Sequence, residues 1–363
     1  MRCRFYALLL ALCAIFDVSA QSDGDVVTLL FAGDIMGHDA QIAAAYNDSS
    51  KTYDYTDCFR YIKPLVEKAD YAVANFEVTL AGAPYKGYPQ FSSPDELAVA
   101  VKDCGFDLLL TTNNHSCDSG KKGVVRTIEV LDSLDIPHTG TFRDSAEYLK
   151  NYPYLVDVKG IRLAFLNYTY GTNELPTPKG TIVNRIDKNQ ILNDISIAKR
   201  MNPDLIVACM HWGIEYDTMP NSSQIYLKNI LKSNGVDLII GSHPHVLQPM
   251  ELDTTKNQLL VYSLGNFVSA QRTAPRDGAA IVKVKLTKRE GRKPKIEANY
   301  QLTYVHYPKV DDRRLFFIVP ISDVENGKFP SIPGPSDNWG RLHQYAKEAR
   351  EVMGRNVNVP EEK

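Results

Sequence analysis

Two histidines separated by a single proline, His243-Pro244-His245, come directly after an apolar run at 236–240 and the small residues Gly241 and Ser242. Each neutral imidazole offers one nitrogen as a ligand, and the proline stiffens the spacing, so the pair suits a metal ion. Other apolar runs end in the same way. The run at 27–32 delivers Asp34, 71–74 delivers Asn75 and Glu77, and 108–110 leads to Asn113, Asn114 and His115. Further along, 163–166 delivers Asn167, 205–209 delivers His211, and 259–263 delivers Gly265 and Asn266. Recurrent endings in His, Asp, Glu or Asn imply that many strand ends converge on one polar site.

Asp34, Glu77, Asn114, His211, His243 and His245 supply the mixed nitrogen and oxygen donors expected around one or two divalent ions such as Mn, Zn or Fe. Asp34 and His211 stand among the groups nearest the chemistry, and His115 is left to act as a general acid or to orient a ligand. Glu215, just past His211, reads as a base, a ligand or a solvated neighbour. Tyr85, Tyr88 and Phe91 read either as substrate contacts or as anchors for a long loop. His138, His306 and His343 lack this context and read as ordinary hydrogen-bonded residues. Cys117, two residues beyond His115, admits a thiolate role or a packing role.

The elements that must position these groups alternate. Strand patterns at 26–33, 71–75 and 107–112 are interleaved with helical spacing at 55–68, a proline-opened helix beginning near Ser93-Pro94-Asp95-Glu96, and a helix at 121–134. This βαβαβα order places helices against a largely parallel sheet, and open sheets of that kind hold their ligands at the C-terminal strand ends. A hairpin is expected at 154–157 and 162–167, helices at 188–200 and 222–233, a strand at 204–210, antiparallel strands at 279–286 and 296–304, and a terminal helix at 341–352. The proline-bearing segment 173–180 reads as a loop bordering the site.

Composition limits the function classes. With 363 residues, 44% of them hydrophobic and 23% charged, the chain has ample material for a globular core. A net charge of -2 without long runs of one sign leaves no basic footprint for nucleic acid. Arg2 and Arg4, an apolar stretch at 7–16 and Val18-Ser19-Ala20 read as a signal peptide cleaved before Gln21, so export to the periplasm or cell surface is expected. Cys58, Cys104, Cys117 and Cys209 then remain, and their spacing fixes no disulfide pairing.

The motifs GDIM at 33–36, ADYAVANFE at 69–77, NNHSCDSG at 113–120, HWGIEY at 211–216, GSHPHVLQ at 241–248 and YSLGNFV at 262–268 resemble, in order, those of the CapA family of bacterial capsule-synthesis proteins, named for poly-γ-glutamate capsules. That family is similar in turn to the calcineurin-like metallophosphoesterases. The resemblance implies an α/β fold, a four-layer α/β/β/α sandwich with a two-metal site, in a domain at 21–310 followed by an extension at 311–363 packed on it. It implies a protein that acts on or assembles an anionic cell-surface polymer, with a membrane-bound polymer synthase as a partner, through a metal-dependent hydrolase or transferase site. The alternatives are an accessory protein that binds polymer without turnover and a divergent metallophosphoesterase. By the same resemblance Asp34, Asn114, His115, His211, His243 and His245 match the metallophosphoesterase ligands and acid. Met36 stands where that pattern has a histidine, and Glu77 in the NFE element replaces its second-strand aspartate. The seven residues Asp34, Glu77, Asn114, His115, His211, His243 and His245 are therefore expected in one cleft, with His38 pointing away from it.

Overall fold

The computed structural model describes residues 25–329, 332–333 and 339–363, so the expected signal segment at 1–20 lies outside the described residues. β1 (Asp25–Ile35) shows the rule by which the strands form. Val27, Leu29 and Phe31 point into one apolar cluster, and Leu30 and Ala32 into another on the opposite face. Side chains alternate across a strand, so a nearly continuous apolar run belongs in a sheet covered on both faces.

The chain builds half of one sheet, then a whole second sheet, then returns. In the first sheet β2 (Tyr71–Phe76), β3 (Leu108–Leu110) and β4 (His138–Thr139) continue parallel from β1. The second sheet holds β5 (Tyr154–Val158), β6 (Ile161–Thr169), β7 (Leu205–His211), β8 (Leu238–Ser242), β9 (Leu247–Asp253) and β10 (Gln258–Leu264), in the order β9-β10-β8-β7-β6-β5. Its four central strands are parallel, and β5 and β9 close it as antiparallel edges. The chain then returns to the first sheet with β11 (Asn266–Val268) beside β1, and with the antiparallel strands β12 (Gly278–Lys288), β13 (Lys295–His306) and β14 (Phe317–Pro320).

Burial sorts these elements into layers. Leu29, Phe31 and Val73 of the first sheet meet Phe165, Val207, Ile240 and Val261 of the second in a shared core. Leu97, Val101 and Leu131 of the helices Glu96–Asp103 and Gly120–Ser133 cover the outer face of the first sheet. Ile191, Ile195, Leu227 and Leu231 of the helices Lys188–Arg200 and Ser222–Ser233 cover the outer face of the second. The order is the α/β/β/α sandwich that the resemblance implies.

Residues beyond 310 enter the same core. The helix Trp339–Met353 places Leu342, Tyr345, Ala346, Ala349 and Met353 in the cluster between the sheets. The tail then bonds to β9 through Val357 and Met250 at 2.9 Å, and to β13 through Pro360 and Tyr300 at 3.0 Å. It thereby ties the two sheets at their open side.

One local reading changes. The helix expected at 55–68 is two short helices, Thr56–Phe59 and Lys63–Val66. Pro64 lacks an N–H for the carbonyl four residues back and its ring crowds that carbonyl, so the helix stops and restarts. β9 is a strand despite Pro249. It is an edge of the sheet, where a missing donor costs no ladder bond. If the terminal helix is part of the core, Leu342→Ala is expected to lower stability by about 2–5 kcal/mol, read from urea unfolding of the full chain.

Candidate metal centre

The parallel strands of both sheets end at one place. Asp34 closes β1, Asn75 and Glu77 lie at the end of β2, Asn114 and His115 follow β3, His211 closes β7, and His243 and His245 follow β8. The crossing from β10 to β11 completes the site. Gly265, at φ +75°, turns the chain from one sheet to the other and delivers Asn266 opposite Asp34. The backbone approach there is close: a Cβ on Gly33 would lie 2.0 Å from the Gly265 carbonyl oxygen, which accepts the Asp34 N–H at 3.0 Å.

Asp34 and Glu77 are fully buried side by side. The Asn75 amide donates to Asp34 Oδ1 at 2.8 Å and to Glu77 Oε2 at 3.0 Å, and thus spaces the two carboxylates. His245 Nδ1 lies 3.1 Å from Asp34 Oδ2 and 3.0 Å from Asn266 Oδ1. Carrying its proton there, it turns Nε2 toward Glu77 Oε1 at 3.7 Å. His211 Nε2 lies 2.8 Å from Asn114 Oδ1 and 3.6 Å from Glu77 Oε1. Asn173, on the 173–180 loop, accepts from the Asn114 Nδ2 at 3.2 Å and so fixes which atom of that amide faces His211.

Two sets of side chains bring ligand atoms within 4.8 Å of one another: Glu77 with His243 and His245, and Asp34 with Glu77 and His211. Glu77 belongs to both, the position of a bridging carboxylate. Donors 2.0 to 2.2 Å from a common ion stand roughly 3 to 4.4 Å apart, and the distances from Glu77 Oε1 to His211 Nε2 and His245 Nε2, 3.6 and 3.7 Å, fall in that range. The residues fit a cation for a further reason. Glu77 Oε1 and His243 Nδ1 are buried polar atoms without a hydrogen-bond partner, and such atoms are costly unless something meets them. His243 and His245 are also held at φ +99° and +57°, a strain that side chains bear where the surrounding structure imposes it.

The electrostatics match. Burial, then the neighbouring Asp34, holds the Glu77 carboxyl well above the usual carboxylate range. Burial, then the adjoining imidazoles, pushes His211 well below the usual histidine range, and burial pushes His243 down to about 3. A bound cation would relieve the carboxylate that resists ionising, and imidazoles that resist protonation keep a nitrogen lone pair open to it.

His115 stands beside this cluster. Its Nδ1 lies 2.8 Å from Asp118 Oδ2, which also accepts the Phe91 N–H at 2.6 Å, and Phe91 packs edge-on to its ring. Asp118 escaped the sequence reading, although its place three residues after His115 in the NNHSCDSG motif was the available signal. Asn75 and Asn266 were read only as strand endings, and their hydrogen bonds make them the spacers of the site.

Other expectations resolve differently. Asn167 does not join the cluster. Its side chain accepts from the Thr112 N–H and donates to the Cys209 carbonyl, tying strand ends together behind it. Glu215 is exposed and belongs to neither ligand set. The Cys117 thiol is buried and pushed up by that burial, so it takes the packing role; it and Cys58, Cys104 and Cys209 are free. Met36 is buried in the apolar cluster on the helix side, while His38 Nδ1 sits 3.1 Å from Gln41 Oε1 and His38 joins neither set.

An α/β/β/α sandwich with carboxylate, amide and imidazole groups gathered at its parallel strand ends is the arrangement that the motifs imply, and its donor sets could hold a metal ion. A family model described as bacterial capsule synthesis protein PGA_cap matches residues 28–271. The chain is 32% identical to the capsule biosynthesis protein CapA of Bacillus anthracis over 305 residues, 77% of this chain and 72% of that protein. It is 31% identical to the PGA biosynthesis protein CapA of Bacillus subtilis (strain 168) over 273 residues, 73% and 69% of the two. Among solved structures it is similar to the calcineurin-like phosphoesterase YfkN from Bacillus subtilis, with a TM-score of 0.44 and 13% identity over 90% of this chain and 98% of that one. The chain belongs to the bacterial capsule synthesis protein family.

The shifted groups give a pH signature in protein stripped of ions by a chelator. Glu77 is raised in the folded state, so its stabilising contribution is complete below the ordinary glutamate pKa and is lost as pH rises. His211 and His243 are depressed, so their contributions are present above about pH 6.5 and are lost as pH falls below it, for His243 toward about 3. Stripped Glu77→Gln is therefore expected to unfold at a higher temperature than stripped wild type at pH 8, with the difference vanishing near pH 4. Thermal unfolding followed by circular dichroism checks both slopes.

Proposed function

We propose that this protein works outside the cytoplasm in the assembly or processing of an anionic capsule polymer, with poly-γ-glutamate as its substrate class, through a divalent-ion centre. The observation that carries the reading is the pair of buried, unpartnered atoms Glu77 Oε1 and His243 Nδ1 at the meeting point of two ligand sets. Family membership supplies the capsule context, and the two relatives are named for capsule and PGA biosynthesis. The relevant ions are Mn, Zn or Fe, all suited to imidazole with carboxylate.

Asp34, Glu77, Asn114, His211, His243 and His245 would hold the ion or ions. A bound divalent ion supplies Lewis acidity toward a carbonyl or phosphoryl oxygen. The chain supplies the rest. His115, its Nδ1 held by the buried Asp118 carboxylate, is oriented to pass a proton to a leaving group. Asn75 holds Asp34 and Glu77 at fixed spacing, and Asn173 holds the Asn114 carbonyl oxygen toward His211. Partners on this reading are the polymer itself and a membrane-bound polymer synthase; no helix among the described residues is long and apolar enough to cross a membrane.

One observation favours the second reading, an accessory protein that binds polymer without turnover: Met36, at the sequence position where the metallophosphoesterase pattern has a histidine, is buried in the apolar cluster on the helix side. The two readings part on turnover. Purified protein is expected to hold at least one divalent transition ion by elemental analysis, and His243→Ala with His245→Ala to lose it while circular dichroism stays unchanged. With a γ-glutamyl amide and a phosphodiester as trial substrates, His115→Ala is expected to slow the accepted one about 10²- to 10⁴-fold with ion content unchanged. Ion-loaded protein inert toward both supports the accessory role. Export is checked separately: N-terminal sequencing of the mature protein should begin near Gln21, and recovery of an intact Met1 would overturn it.

A further inference from the structure

The mouth of the cleft carries a cation that enters no ion pair among the described residues. Arg276 lies with its guanidinium 4.2 Å from the centre of the Tyr216 ring. The Tyr216 ring is in turn 6.2 Å from that of His245. Arg276 Nε donates to the Thr273 carbonyl, and the Arg276 carbonyl accepts from Asn266 Nδ2 at 3.1 Å. Asn266 is the residue that faces His245 Nδ1, so one amide anchors the loop bearing Arg276 to the metal centre. Neighbouring cations are spent differently. Arg272 and Arg341 both pair with the buried Asp277, whereas Arg276 enters no ion pair among the described residues.

The surroundings are partly apolar. Tyr216 is 43% exposed, Ile214 52% and Met219 51%, all on the loop after His211, and Tyr170 across the cleft is 47% exposed with its ring 4.4 Å from that of His243. A guanidinium packed on an aromatic face keeps its edge donors free for a planar carboxylate or a phosphate. Such a mouth suits a ligand in which charged oxygens alternate with methylene and amide groups. Each unit of a γ-linked glutamate chain has one carboxylate beside two methylenes and an amide.

We infer that Arg276, packed on Tyr216 at the mouth of the cleft, is a specificity-determining residue that receives a carboxylate of a γ-linked glutamate chain, with Tyr170 and Tyr216 packing against its methylenes. This rests on the polymer reading above and names the group that recognises the polymer. Glu215, on the same loop and next to Tyr216, carries the opposing charge. It sets the sign of the control: neutralising Glu215 strengthens binding of an anionic chain, whereas neutralising Arg276 weakens it.

The test is calorimetric titration of the full chain, loaded with its ion, with a γ-linked glutamate hexamer, the same hexamer amidated at its side carboxylates, and inorganic phosphate. A lost charged hydrogen bond corresponds to a weakening of about 10-fold or more. Arg276→Gln is expected to show that loss for the hexamer, with unchanged ion content and unchanged affinity for the amidated hexamer, while Arg276→Lys recovers part of it and Glu215→Gln tightens the hexamer. A hexamer bound equally by wild type and Arg276→Gln overturns the inference and leaves the polymer reading standing. Wild type that binds phosphate through Arg276 and ignores the hexamer overturns the carboxylate assignment and the polymer reading together. Wild type that binds none of the three overturns both as well.

Discussion

Two carboxylates, Asp34 and Glu77, are buried side by side with three imidazoles, and no lysine or arginine among the described residues pairs with either. That is the constraint on which the site depends. Removing such charge from water is affordable only where a hydrogen bond, a proton or a cation meets it. Asp34 has hydrogen-bond partners on both oxygens, from Asn75 and His245. Glu77 has Asn75 on one oxygen and nothing on the other. The unmet oxygen and the raised carboxyl are two expressions of one missing positive charge, and the depressed imidazoles stay neutral beside it.

The fold exists, in functional terms, to hold that arrangement still. Parallel strands rise side by side in each sheet, so their C-terminal ends are neighbours, and a second sheet packed face to face brings its own ends beside them. The crossing at Gly265 stitches the two sets, since Leu264 still pairs in the second sheet while Asn266 already sits opposite Asp34 in the first. Rigidity comes from the far side as well, because the terminal helix and tail fill and tie the opening between β9 and β13. The mouth is the open side of the site, where the residues Tyr170, Tyr216 and Arg276 are exposed or half-buried.

Much of this was legible in the chain because strand ends leave a mark. An apolar run that stops at a small residue and delivers His243 and His245, or Asp34, has few bland explanations when the pattern recurs, and the structure brings those residues together with Glu77, Asn114, His115 and His211. The helices 188–200 and 222–233 were legible from apolar spacing alone. What was not legible depends on distant contacts. Asp118 and Asn75 act through hydrogen bonds that a linear sequence does not display, and Asn167 shares the strand-end pattern yet turns to bind backbone. The terminal helix could be read as a helix, but its burial between two sheets depends on a gap that only the folded molecule has.

The most direct measurement is anomalous diffraction from crystals of protein grown with the ion it carries on purification. Density for an ion roughly 2.0 to 2.2 Å from Glu77 Oε1 and from a ring nitrogen of His243 or His211 is the expected result. An ion bound elsewhere, or a Glu77 Oε1 that meets only water while the protein is fully loaded, would contradict the assignment of these residues to a metal centre.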